Sequence, residues 1–178
     1  EALTLGFDTS AAHCAAALLC GQAVLGHRHE DMGRGQAERL MPLLEKMLAE
    51  AGAGWRDLGR IGVGVGPGNF TGVRIAVAAA RGLALACGIP AIGVSSFAAL
   101  AEGQPGPVLA CVDARAGRLA LALPGGTPLL AGPADIVLPD GTAGLDCTGH
   151  RADDLARLTG GAVRPAVSRA RTSARWPM

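Results

Sequence analysis

Asp8-Thr9-Ser10 closes a short apolar run that begins at Leu3. A carboxylate and two hydroxyls at the open end of a sheet can meet a metal ion and a phosphate. The same triplet also makes an ordinary turn, in which Asp and Ser bond the local backbone. A second candidate is the loop Gly66-Pro67-Gly68-Asn69-Phe70-Thr71-Gly72. Its glycines permit close backbone approach, and Thr71 can cap the helix that follows. The free N–H groups of a helix start attract anions. No Lys-Ser/Thr pair follows, so the loop is not a P-loop; the alternative is a tight strand-to-helix turn. Asp8, Thr9, Ser10, Gly68 and Thr71 therefore form one candidate phosphate site, of a vestigial kind.

Other chemistry is less well furnished. His27 and His29 lie two apart and would share a strand face, but no third metal ligand is evident, and His13 and His150 are isolated. No metal site is expected. A Ser-His-Asp triad is open on composition, although no G-x-S-x-G elbow occurs. Asp8 and Asp113 both stand at strand ends, where two-metal nucleases place acids, with Glu38 the one further acid in view. The five cysteines contain no C-x-x-C pair and read as buried thiols in a reducing compartment.

The elements that must position these groups are legible in outline. Three short strands, Leu3–Asp8, Cys14–Cys20 and Ala23–His29, form an antiparallel meander with a turn at Gly21-Gln22. Leu40, Leu44, Met47, Leu48 and Ala51 share one helical face, and Pro42 within that pattern predicts a kink or a late start. The strand at 61–65 carries Gly62 and Gly64 on one bare face, over which a second backbone or a helix should pack. A helix over Val73–Cys87 follows, stopped by Gly88, then a strand at 91–94 and a short helix at 96–101. A boundary is expected at Glu102–Pro107, which separates a first lobe, 1–103, from a smaller second lobe, 104–178. The second lobe opens with a hairpin around Ala114-Arg115-Ala116-Gly117. Short elements at 135–138 and 144–149 follow, and the last dozen residues read as poorly ordered.

Composition bounds the function. The formal net charge is +1, so no global field draws the chain to nucleic acid. Three Phe, two Trp and no Tyr leave little with which to stack bases. The apolar stretch from Val73 to Cys87 is broken by Arg74 and Arg81 and is shorter than the roughly 20 residues of a membrane span. No charged-then-apolar leader opens the sequence. That same stretch is apolar almost all round, so it needs cover on more than its sheet side. Either a second lobe supplies that cover, or this helix and the one over 40–47 form a subunit interface.

Four segments together resemble one family. L-T-L-G-F-D-T-S at the start, G-V-G-P-G-N-F-T-G-V-R-I-A-V at 64–77, G-L-A-L-A-C-G-I-P-A-I-G-V-S-S at 82–96 and C-V-D-A-R-A-G at 111–117 are similar to the TsaB (YeaZ) family, over residues 2–123. The resemblance implies an α/β, actin-like ATPase (ribonuclease-H-like) fold: two lobes, mixed sheets flanked by helices, the second lobe reduced. It implies no enzymatic activity and no cofactor held by this chain alone. The sister family of TsaD enzymes carries an H-x-x-x-H metal motif where this sequence has Ser96 and Leu100. The implied role is a cytoplasmic partner subunit that binds and activates TsaD in forming N6-threonylcarbamoyladenosine in tRNA. A TsaE-type ATPase joins that complex, tRNA is met only through it, no membrane is involved, and the chain self-associates when alone. Carried over by resemblance, Leu40, Leu43, Leu44, Met47, Arg74, Ala78 and Arg81 are the expected partner contacts. The alternative is an actin-like ATPase or kinase relative that binds nucleotide phosphates through Asp8 and the Thr71 loop.

Overall fold

The computed structural model describes residues 2–114, 118–123, 126–132, 136–138 and 140–165. The hairpin tip at 115–117, residue 135 of the segment 135–138 and the last dozen residues lie outside them. The chain divides into two units between Val94 and Ser95. The sequence reading sets its boundary after the helix at 96–101, whereas the contacts group that helix with the second unit.

The first unit opens with the expected meander, β1 (Leu3–Asp8), β2 (His13–Cys20) and β3 (Ala23–Asp31), each antiparallel to the last. Helix α1 (Gln36–Glu50), a 3-10 turn at Trp55–Asp57, strand β4 (Leu58–Gly64), helix α2 (Phe70–Cys87) and strand β5 (Ala91–Val94) follow. The five strands lie in the order β3-β2-β1-β4-β5, with β4 parallel to both β1 and β5. Period-two alternation sends Leu5, Phe7, Cys14, Ala16, Leu18, Ile61 and Val63 to one face. There they meet Leu40, Leu43, Leu44, Met47 and Leu48 of α1 and Ala76 and Ala80 of α2. Each fully buried leucine contributes about 1.5–3 kcal/mol of transfer free energy. Two ion pairs bind α1 to β3 beside this core, Arg39–Glu30 at 2.6 Å and Arg28–Glu50.

Two expectations are corrected. Pro42 does not delay α1, which begins at Gln36 and runs to Glu50 with the proline inside it. Pro42 is exposed, so the carbonyl it leaves without a donor can turn to water. Among the described residues of the first unit no helix packs over Gly64, because α1 and α2 share the opposite face. The space beside Gly64 is filled by the Asp8 carboxylate, which a Cβ there would strike.

In the second unit, α3 (Ser96–Ala101) precedes β6 (Val108–Asp113), β7 (Leu119–Ala122), β8 (Leu129–Ala131), β9 (Asp146–Gly149) and α4 (Ala152–Thr159). The sheet order is β8-β7-β6-β9, with β6 and β9 parallel and the other pairs antiparallel. Leu109, Cys111, Leu119 and Leu121 face Leu155 of α4, and Ala110 and Ala120 face Phe97 of α3. Helix on both faces explains why β6 and β7 read as continuous apolar runs. Burial pushes the Cys111 thiol up to about 12, so it is an uncharged core group at neutral pH.

The two units share a plan. A meander followed by a strand parallel to its first member describes β1-β2-β3-β4 and again β6-β7-β8-β9. In the second copy no described helix joins β8 to β9, and the fifth strand is reduced to one parallel bridge, Cys147 to Val163. The fold is therefore a duplicated α/β unit with a reduced second lobe.

Candidate functional site

Asp8 ends β1, and its Oδ2 accepts two hydrogen bonds, from Ser10 Oγ at 2.8 Å and from His13 Nε2 at 2.9 Å. Its Oδ1 is buried against Gly64 with no hydrogen-bond partner among the described residues. Burial alone would raise this carboxyl, but the bonds from His13 and Ser10 outweigh it and hold Asp8 below the usual carboxylate range. The imidazole of His29 lies 4.8 Å from that of His13 and bonds Asp31 at 3.1 Å. Ser10, His13 and Asp8 are thus together, but not as a nucleophilic triad. A triad needs the serine to donate to histidine, whereas here serine and histidine both bond the carboxylate.

The next two residues clamp the start of α2. Thr9, wholly buried, donates its hydroxyl to the Gly72 carbonyl at 2.7 Å. The Asn69 N–H donates to the Ser10 carbonyl at 2.6 Å. A Cβ at Gly68 would collide with the Ser10 carbonyl, and one at Gly72 with the Thr9 carbonyl. The glycines of this loop therefore admit the chain's own backbone. The helix cap is Asn69 and not Thr71: Asn69 Oδ1 accepts from Thr71 N at 3.0 Å and Gly72 N at 3.2 Å. Helix α2 consequently starts one turn earlier than expected, at Phe70. Asp8, Thr9, Ser10, Gly68 and Thr71 are gathered at one place, and all but the Thr71 side chain are engaged with one another or with the cap.

Helix α2 has a buried edge of small residues, Gly72, Ala76 and Ala80, against the sheet. Its opposite edge, Phe70, Arg74, Ala78, Arg81 and Leu85, is exposed, with Leu85 86% and Phe70 56% accessible. The Arg74 guanidinium stacks over the Phe70 ring at 4.8 Å. Arg74, Ala78 and Arg81 are thus on an open stripe. Leu40, Leu43, Leu44 and Met47 are not: each is at most 2% exposed, in the core of the first unit. They are corrected from partner contacts to core residues, since the apolar stripe of α1 faces its own sheet. Phe70 and Leu85 were missed, although four-residue steps from the two arginines reach both.

Elsewhere, Asp8 and Asp113 fall in different units, and Asp113 stands 3.8 Å from His150. Ser96 begins α3 and Leu100 packs beside Phe97. Among the described residues, no three His, Cys, Asp or Glu side chains group as a metal site. Helix α2 is long and apolar enough to cross a membrane by length and composition, and one side of it packs on β4 and β1.

This geometry has known counterparts. A family model described as TsaD, tRNA N6-adenosine threonylcarbamoyltransferase, matches residues 27–142. A solved structure, YeaZ from Pseudomonas aeruginosa, is 32% identical with a TM-score of 0.70, covering 84% of this chain and 75% of that one. The chain belongs to the TsaB (YeaZ) family. A second Pseudomonas aeruginosa structure, described as similar to peptidase YEAZ, is 31% identical with a TM-score of 0.74, over 93% of this chain and 82% of that one. The Escherichia coli protein named tRNA threonylcarbamoyladenosine biosynthesis protein TsaB is 37% identical over 120 residues, 65% of this chain and 52% of that protein. The alignments span about half the length of the curated TsaB relatives. The YeaZ likeness agrees with the duplicated α/β architecture described above.

Proposed function

We propose that this TsaB-family chain is a non-catalytic subunit of the machinery that forms N6-threonylcarbamoyladenosine in tRNA, and that it binds and activates a TsaD-type protein. The observation that carries the reading is the open stripe of α2. A leucine and a phenylalanine held this far into water, flanking two arginines, have the composition of a partner-binding face. Activation would come from binding the partner's active arrangement more tightly than its inactive one. In the Asp8–Ser10–His13 connectivity the serine hydroxyl bonds the carboxylate and not the imidazole, which supports a chain without nucleophilic chemistry of the triad kind. On this reading the chain holds no cofactor, works in the cytoplasm, meets tRNA only through the complex and admits a TsaE-type ATPase to a larger assembly. When the partner is absent, two copies pair through the same stripe.

Light scattering during gel filtration tests it, on the chain alone and mixed with TsaD from the same organism. A mixed complex that replaces a self-dimer is the expected result. Arg81→Glu should weaken that complex by about tenfold, the effect of losing one well-placed interface contact. A chain that ignores TsaD at every concentration overturns the proposal.

A further inference from the structure

The strand-end cluster has a use that needs no substrate. Asp8 holds Ser10 by its side chain and His13 by its ring, so the short turn between β1 and β2 is pinned at both ends. The backbone of that turn is in turn the seat of α2. The Ser10 carbonyl takes the Asn69 N–H, the Thr9 hydroxyl reaches the Gly72 carbonyl, and Gly68 and Gly72 are bare where Ser10 and Thr9 press against them. Asn69 then caps the helix, and the next residue, Phe70, heads the exposed stripe with Arg74 stacked on it. Hydrogen bonds, joined through the backbone of Ser10 and of Asn69, connect one carboxylate to the first turn of the helix.

We infer that Asp8 is a positioning residue for α2: through Ser10, His13 and the turn between them it fixes the first turn of the helix and so presents Phe70 and Arg74 to a partner. The groups around it are His13 and Ser10 from the turn and β2, and Gly64 from β4; His29 and Asp31 of β3 stand behind His13. The latch itself is internal to the chain, and only its consequence for binding rests on the partner reading.

Amide hydrogen exchange on the full chain tests the latch directly. In Asp8→Ala the amides of Asn69, Gly72 and Val73 should lose protection by about tenfold or more, the scale of a local opening. Those of Leu44, Met47 and Leu48 in α1 should not change. Asp8→Asn, which keeps an acceptor oxygen for Ser10 and His13, should restore most of the protection. Ser10→Ala removes a single bond of the path and should loosen the same amides less, and it serves if Asp8→Ala does not fold. Protection unchanged at 69–73, or lost equally in α1, overturns the latch. Partner affinity measured on the same variants separates the two ideas. Arg81→Glu should lose affinity with exchange at 69–73 unaltered, whereas Asp8→Ala should lose both. Normal exchange effects with no partner binding by any variant, wild type included, leave the latch standing and remove the partner reading.

Discussion

At the scale of single residues, the glycines of the β4–α2 loop turn a familiar motif into a different device. A glycine-rich loop before a helix suggests a ligand's phosphate, because a bare Cα allows close approach. Here the approaching groups are the Thr9 and Ser10 carbonyls. Gly72→Ala places a methyl against fixed backbone, which no side-chain rotation relieves. We expect a loss of about 1–3 kcal/mol in chemical denaturation of the first unit, the usual cost of overpacking. An equally stable variant would mean that the turn can retreat. Asp8 gives a second expectation. Its folded carboxyl lies below the ordinary value, so its stabilisation is complete above about pH 4 and is lost as pH falls through the lowered value. The denaturation midpoint should fall as the pH drops below about 4, and fall less steeply in Asp8→Asn. Equal slopes in the two proteins would dissociate Asp8 from the acid response.

At the scale of elements, the sequence made some faces plain and concealed others. The meander was readable because its strands are short and Gly21, at a φ of 57°, supplies a turn that other residues resist. The presence of α1 and α2 and the stop at Gly88 followed from their apolar spacing, whereas both helices begin earlier than that spacing indicated. What spacing could not settle was direction. Leu40, Leu43, Leu44 and Met47 form one stripe, and a stripe that faces a partner is periodic in the same way as one that faces a sheet. Only β2 and β3, folded beneath α1, decide between them. Helix α4 escaped notice because it is eight residues long and starts from Arg151 in a left-handed conformation, though Asp153, Asp154 and Gly160 are ordinary start and stop signals. The Asp8 latch was invisible as such, since its parts are 63 residues apart in the Thr9–Gly72 bond. The two helices should now separate experimentally. Leu44→Ala, in the core, should cost about 2–5 kcal/mol of stability. Leu85→Ala, at the open edge of α2, should change stability by no more than about 0.5 kcal/mol, the usual range for an exposed site. Similar losses from both substitutions would mean that the stripe is covered within the chain.

At the scale of the whole molecule, a single open stripe cannot serve two large partners at once. If two copies pair through α2 and TsaD also docks there, self-association and heterocomplex formation must compete. Added partner then lowers the free-chain concentration and dissolves the homodimer by mass action. The midpoint of heterocomplex formation should therefore shift to higher partner concentration as the concentration of this chain rises. Leu85→Glu puts a charge at the C-terminal end of the shared face, where its desolvation is costly to either assembly. We expect it to weaken both by tenfold or more, with the melting temperature of the isolated monomer nearly unchanged. Sedimentation velocity at several mixing ratios resolves the free chain, the homodimer and the heterocomplex in one experiment. A variant that loses the homodimer but keeps the heterocomplex would show that TsaD uses another surface. Phe70→Ala, at the far end of the stripe, would then tell how much of α2 the partner reads. Because Phe70 follows directly on the Asn69 cap, its contribution is also the one most sensitive to the Asp8 latch.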